Sequence, residues 1–444
     1  MYDLLITGGT IVNHDGIHKG DIGIKDGKIL DMGALGDKPA DQILKVDNLH
    51  VLPGVIDTQV HFREPGLTHK EDLESGSRSA VMGGVTAVFE MPNTNPSTTT
   101  LDAIADKVKR GRDRMFCDFA FYAGASTDNL DQLAKLERAP GVCGIKVFMG
   151  SSTGSLLVAE DEALDELFRT ITRRAAFHSE DEERLRQRLG EQIEGEAASH
   201  PVWRDAETAI NSTKRLLKLS NQYAKRIHVL HITTKQEMAL LANVRDLVSV
   251  EVTPQHLTLA APEAYERLGT LAQMNPPIRK RDHLEGLWEG LRAGVVDVIG
   301  SDHAPHTLEE KQQAYPASPA GLPGVQTLVP LMLDHVNKGR LSLQRFVDLT
   351  SAGPNRLFGL AGKGRLARGY DADITLVDMK AQKTISNDWI KSRIGWTPFD
   401  GQVVTGWPVG TIVRGHQVMF EGEILAPAIG QPIHFQETEP PATI

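Results

Sequence analysis

Apolar and polar positions change rhythm twice along the 444 residues. In residues 1–50 short apolar runs alternate with turn residues. Leu4-Leu5-Ile6 precedes Gly8-Gly9, Thr10-Ile11-Val12 follows, and Asp26-Gly27 marks a hairpin before Lys28-Ile29-Leu30. The far end of the chain has the same texture, with strand candidates at 373–377, 411–415 and 417–420. The two β-rich ends predict one small β-sandwich domain made of residues 1–50 and 366–430. Over 51–365, apolar runs at 85–91, 143–149, 226–232, 247–252 and 295–299 alternate with amphipathic stretches at 101–112, 160–174 and 206–219. Such alternation predicts a parallel sheet. With roughly six or seven units, a closed TIM-like (β/α)8 barrel fits better than an open sheet. The charged run 180–188 reads as a solvated helix. The Pro- and Glu-rich residues 431–444 read as a tail, loose or laid on a neighbour.

Composition narrows the function class. The chain is 40% hydrophobic and 24% charged, with a net charge of −10. An acidic balance argues against nucleic acid as the partner, since phosphate binding needs a basic surface. Two cysteines, Cys117 and Cys143, cannot build a disulfide framework and read as buried thiols. No leader pattern opens the sequence, and no apolar run reaches the ~18 residues that span a membrane. The expectation is a cytoplasmic enzyme acting on a small molecule.

The chemistry lies where the strand candidates end. Residues 55–57 lead to Gln59, His61 and Arg63. Lys146 sits inside an apolar run, 175–177 ends in His178, 229–230 ends in His231, and 298–301 ends in Asp302. A barrel builds its active site from such ends. One histidine there is usually a packed side chain, but five metal-competent residues in order, each on its own strand, are hard to explain as packing. Imidazoles and carboxylates hold zinc or a similar ion, which acidifies a water. An unpaired ammonium costs much to bury. Lys146 is therefore either paired with a carboxylate or carbamylated, an anion with two oxygens for metal.

Residues 57–66, Met91-Pro92-Asn93-Thr94-Asn95-Pro96, 144–150, His231, and Ser301-Asp302-His303-Ala304-Pro305-His306 together resemble dihydroorotase. Gly369-Tyr370-Asp371-Ala372-Asp373 and Trp396-Thr397-Pro398-Phe399 resemble the wider cyclic amidohydrolase group. The resemblance implies one or two zinc ions held by His61, Lys146, His178, His231 and Asp302, with carbamylated Lys146 as a bridging ligand. It implies that Arg63, Asn93, Asn275 and His306 bind substrate, under a loop at 318–327. Asp302 would carry the proton from the attacking water to the leaving ring nitrogen. The reaction implied is reversible hydrolysis of dihydroorotate to N-carbamoyl-L-aspartate, a step towards pyrimidines, in a homo-oligomer. A planar guanidinium at Arg63 suits a ring that carries a carboxylate.

One position departs from the family pattern. Where His-x-His is usual, the chain reads Gln59-Val60-His61, and an amide oxygen is a weaker zinc ligand than imidazole. Either Gln59 ligates, or one ion is bound, or occupancy is low. Gln255 also stands where relatives often carry histidine. Two other readings follow: a non-catalytic subunit supporting aspartate carbamoyltransferase, and an allantoinase or hydantoinase. The full set of metal-competent residues opposes the first, and Arg63 with Asn93 opposes the second.

Overall fold

The computed structural model describes residues 1–36, 38–150 and 156–438. Eight parallel strands form its centre: β1 (Val55–Val60), β2 (Val85–Glu90), β3 (Asp118–Gly124), β4 (Val142–Phe148), β5 (Ala175–His178), β6 (Ile227–Val229), β7 (Val248–Val252) and β8 (Val298–Ile299). They pair in chain order. The ring closes where Val60 bridges His303 and the His61 amide donates to the His303 carbonyl at 2.7 Å. β1 to β7 are buried along their whole length; β2 to β5 read largely as apolar runs, whereas β1 and β7 carry buried polar residues, Asp57, Thr58 and Gln59 in one and Ser249 and Glu251 in the other. β3 is the strand the pattern did not single out. Its Phe-Ala-Phe-Tyr-Ala stretch contains no β-branched residue, so only the aromatic half of the usual strand signature is present.

Both chain ends build the β-sandwich. Four N-terminal strands pair in the order Lys28–Gly33, Asp21–Lys25, Tyr2–Thr7, Ala40–Lys45. A seven-stranded sheet mixes the ends, placing Ile374–Thr384 and Val403–Val413 beside His50–Pro53 and Thr10–Asn13. Leu4, Ile22 and Ile24 of the first sheet share one core with Val51, Ile374 and Ile412 of the second. The break expected after residue 50 falls inside His50–Pro53, a strand of this sheet.

Two further expectations are corrected. Residues 431–435 are not a loose tail. The Ile433 amide donates to the Phe119 carbonyl at 2.8 Å and the Phe119 amide to the Gln431 carbonyl at 3.1 Å, and Ile433 and Phe435 are buried with Phe89, Tyr122 and Phe358 at the foot of the barrel. Residues 439–444 of that segment lie outside the described residues. The charged run 180–188 is only partly a solvated helix: the helix is Glu182–Gln187, while Glu180 is fully buried. Among the described residues, no helix is long and apolar enough to cross a membrane.

Candidate active site

A cavity of about 330 Å³ opens at the carboxyl ends of the barrel strands, lined by Gln59, His61, Arg63, Asn93, Lys146 and His178, with His231, Asn275, Asp302 and His306 across from them. The structure thus brings together every residue the sequence nominated. Pro319, Ala320 and Gly321 cover one side. This loop is held by the Gly324 amide donating to His303 Nδ1 at 3.1 Å and by His306 Nε2 at 3.1 Å from the Ala320 carbonyl.

Three site residues have positive φ: Arg63 at 64°, His231 at 36° and Asp302 at 45°. That region costs a non-glycine residue about 1–3 kcal/mol and is tolerated where the surroundings impose it. Each lies two or three residues beyond the end of its strand and lines the cavity. Asp57 helps to impose this conformation, with Oδ1 accepting from the amides of Ser301 at 2.9 Å and Gln59 at 3.2 Å. Burial pushes its carboxyl up to about 7.

The donor atoms face one another. Nδ1 of His61 donates to Asn93 Oδ1 at 2.6 Å, which leaves Nε2 bare, 3.2 Å from Asp302 Oδ1. Nε2 of His178 donates to Glu180 Oε2 at 2.8 Å, which leaves Nδ1 bare, 3.0 Å from His231 Nε2. Burial pulls all three imidazoles below their usual range, so they are neutral and offer lone pairs. Gln59 donates to Asp302 Oδ1 at 3.0 Å, while its own Oε1 is buried without a partner among the described residues. The bare nitrogens of His61 and His178 and the Asp302 carboxylate facing one cavity, beside an orphaned amide oxygen, fit a divalent cation.

Lys146 lies among these groups, its Nζ 4.4 Å from the centre of the Phe148 ring. Among the described residues no carboxylate is within ion-pair distance of it, so the paired-lysine reading loses its partner. Burial pulls its ammonium down to about 7, against the pull of Asp302 and Glu251. An amine with a substantial neutral fraction near neutral pH is a competent nucleophile for carbon dioxide.

Glu180 is the residue that sequence reasoning missed. Besides His178 it accepts from Arg204 Nη2 at 2.5 Å and Nε at 3.1 Å. Against the opposing effect of burial, Arg204 and His178 hold its carboxyl well below the usual range. The signal was its place two residues after His178, hidden by a charged run. A second carboxylate group, Asp118, Asp371 and Asp373, lies away from the cavity. It does not fit a metal, because Lys363 Nζ already sits among its oxygens at 2.6–3.0 Å.

Known proteins share this architecture. Residues 50–418 match the amidohydrolase family, and residues 1–53 match the N-terminal domain of the urease alpha-subunit. A dihydroorotase of Methanosarcina acetivorans is 35% identical over 96% of this chain and 94% of its own. An L-hydantoinase of Paenarthrobacter aurescens is 34% identical, covering 96% of each chain. The solved L-hydantoinase (dihydropyrimidinase) of Arthrobacter aurescens superposes with a TM-score of 0.93 at 33% identity, covering 98% of this chain and all of that one. The barrel, its strand-end site and these relatives together make the chain a member of the amidohydrolase family, an enzyme of its cyclic amidohydrolase group.

Proposed function

We propose that the protein is a dihydroorotase, catalysing reversible hydrolysis of (S)-dihydroorotate to N-carbamoyl-L-aspartate in pyrimidine biosynthesis. The observation that carries this reading is Arg63. It is 7% exposed and lines the cavity. Its Nε donates to the Pro305 carbonyl at 3.2 Å, and its Nη2 lies 3.3 Å from His306 Nε2. Neither partner neutralises it, and among the described residues no carboxylate pairs with it. Burial lowers it only to about 10, so it stays charged. A buried, charged fork facing a small-molecule cavity suits a ring that brings its own carboxylate. Dihydrouracil and simple hydantoins lack that group on the ring.

The chain's residues divide the work. Arg63 grips the carboxylate, Asn275 and His306 border the ring, and Asn93 fixes the face that His61 presents. Asp302 accepts the proton of the attacking water and returns it to the ring nitrogen as the amide bond breaks. In reverse, the same carboxylate takes the proton from the ureido nitrogen as the ring closes. His61, His178, His231, Asp302, Gln59 and a carbamylated Lys146 would hold zinc, one ion or two. Zinc when bound polarises the ring carbonyl and acidifies water.

Assays on dihydroorotate, dihydrouracil and a 5-alkyl hydantoin test the reading. Dihydroorotate is expected to be the best substrate, and Arg63→Ala to lower its kcat/KM by about a hundredfold or more, from lost charge-assisted bonds. A hydantoinase, the reading favoured by the solved neighbour, would prefer the uncharged rings and be indifferent to Arg63→Ala. Chelation is expected to abolish turnover and added zinc to restore it, with metal content measured in parallel.

A further inference from the structure

At the other end of the barrel a second cavity, of about 190 Å³, is lined by four arginines, Arg173, Arg174, Arg226 and Arg356, and one carboxylate, Glu437. Arg173, Arg174 and Arg226 immediately precede or begin the run into β5 and β6, so they mark the amino ends of those strands. Arg174 stands four residues before His178, which puts the cavity about 13 Å of strand below the catalytic mouth.

Two of the arginines pair with carboxylates, while Arg174 and Arg226 form no ion pair among the described residues. Arg174 Nη1 donates to the Ile227 carbonyl at 2.7 Å and to Ser249 Oγ at 3.0 Å, while its Nε is buried without a partner among the described residues. Arg173 is 5% exposed and donates to backbone carbonyls of Glu137 and Val142. Its ion pair is Glu437, at 3.2 Å. Arg226 makes no ion pair among the described residues, and Arg356 pairs outward with Asp348 at 2.7 Å. Carbonyls satisfy N–H groups but leave the charge in place. Burial and the neighbouring Arg226 push the Arg174 guanidinium down to about 10, against the pull of Asp297. Packing alone gives no reason to crowd these cations. An oxyanion with several acceptor oxygens would relieve the crowding.

We propose that this basal cavity is a binding site for a phosphoryl anion, free phosphate or the phosphate of a small phosphorylated metabolite, with Glu437 occupying part of it when the anion is absent. Glu437 is half exposed and is carried on the segment beyond Phe435, so it can yield its place without disturbing the buried Ile433 and Phe435. The inference does not depend on which ring the catalytic site opens.

Isothermal titration calorimetry of the full, metal-loaded chain with inorganic phosphate, and separately with adenosine monophosphate, tests the proposal. Binding is expected to weaken about tenfold or more in Arg174→Gln/Arg226→Gln, from the loss of charge-assisted bonds. Arg63→Ala is expected to leave it unchanged, which separates it from the catalytic cavity. Should the double variant fold poorly, Arg226→Gln and Glu437→Gln act at exposed positions: the first is expected to weaken binding and the second to tighten it. Tighter binding of adenosine monophosphate than of phosphate assigns the site to a phosphorylated metabolite, and the reverse order assigns it to the free ion. Flat titrations with both probes up to about 10 mM, or affinities that ignore Arg226 and Glu437, would overturn the proposal.

Discussion

Arg63, Lys146 and Glu180 show three ways in which a barrel can bury a charge. Arg63 stays charged and waits for an anion. Lys146 is pulled towards neutrality because nothing pairs with it. Glu180 is fully paired, by Arg204 on one side and His178 on the other. The last arrangement links stability to the metal site, since the Glu180 carboxylate selects which nitrogen of His178 is bare. Arg204→Met should therefore do two things at once. Breaking one partner of a buried pair costs about 3–5 kcal/mol, read as a lower denaturation midpoint. It also frees Glu180 from its guanidinium, so metal retention during dialysis should fall. A variant as stable and as metal-rich as the parent would mean that Arg204 only fills space.

At the scale of elements, the site is a set of strand ends joined by loops that hold their neighbours. Gly66, with φ of 90°, shows how tightly two of these loops meet. A Cβ at this position would collide with the backbone carbonyl of Asn95. One side of that contact carries Arg63 and the other Asn93, the partner of His61. Gly66→Ala is expected to cost about 1–3 kcal/mol through backbone strain and to raise KM for the carboxylated ring more than it lowers kcat. These strand ends were legible in the sequence because most of the buried parallel strands are largely apolar, so a histidine or aspartate at the end stands out. β3 was not legible: it contributes Asp118 at its start, and its aromatic and alanine residues lack branching. Glu180 was hidden for the opposite reason. It shares a charged run with exposed residues, and only its contact with Arg204, 24 positions later, distinguishes it. The packing of Ile433 and Phe435 under the barrel is likewise a long-range fact, invisible beside the prolines and glutamates that follow.

The whole molecule is held together by charge as well as by shared cores. Lys363 is 4% exposed and lies 2.7 Å from Asp118, which opens β3, and 2.6 Å from Asp373, which leads into the β-sandwich strand Ile374–Thr384. Arg414, in the turn after Val403–Val413, reaches the same Asp118. One ammonium thus joins the barrel to the second sheet. Against the cost of its burial, Asp373 and Asp371 hold the Lys363 ammonium above its ordinary range. A group whose folded pKa is raised gives stability that is complete below its unfolded value, about 10.4, and is lost only as pH rises through the higher folded value. Lys363→Met removes the buried cation these carboxylates share, leaving Arg414 on Asp118 and Lys28 on Asp371, at a cost of about 3–5 kcal/mol. That deficit should be the same at about pH 7 and about pH 9, because Lys363 is fully protonated at both. It should shrink in acid, where the stranded carboxylates take up protons. Denaturant midpoints of wild type and variant at three pH values measure this directly. A deficit that fades between neutral and mildly alkaline pH would mean that Lys363 is not held by these carboxylates, and that the barrel and sandwich rely on their apolar contacts alone.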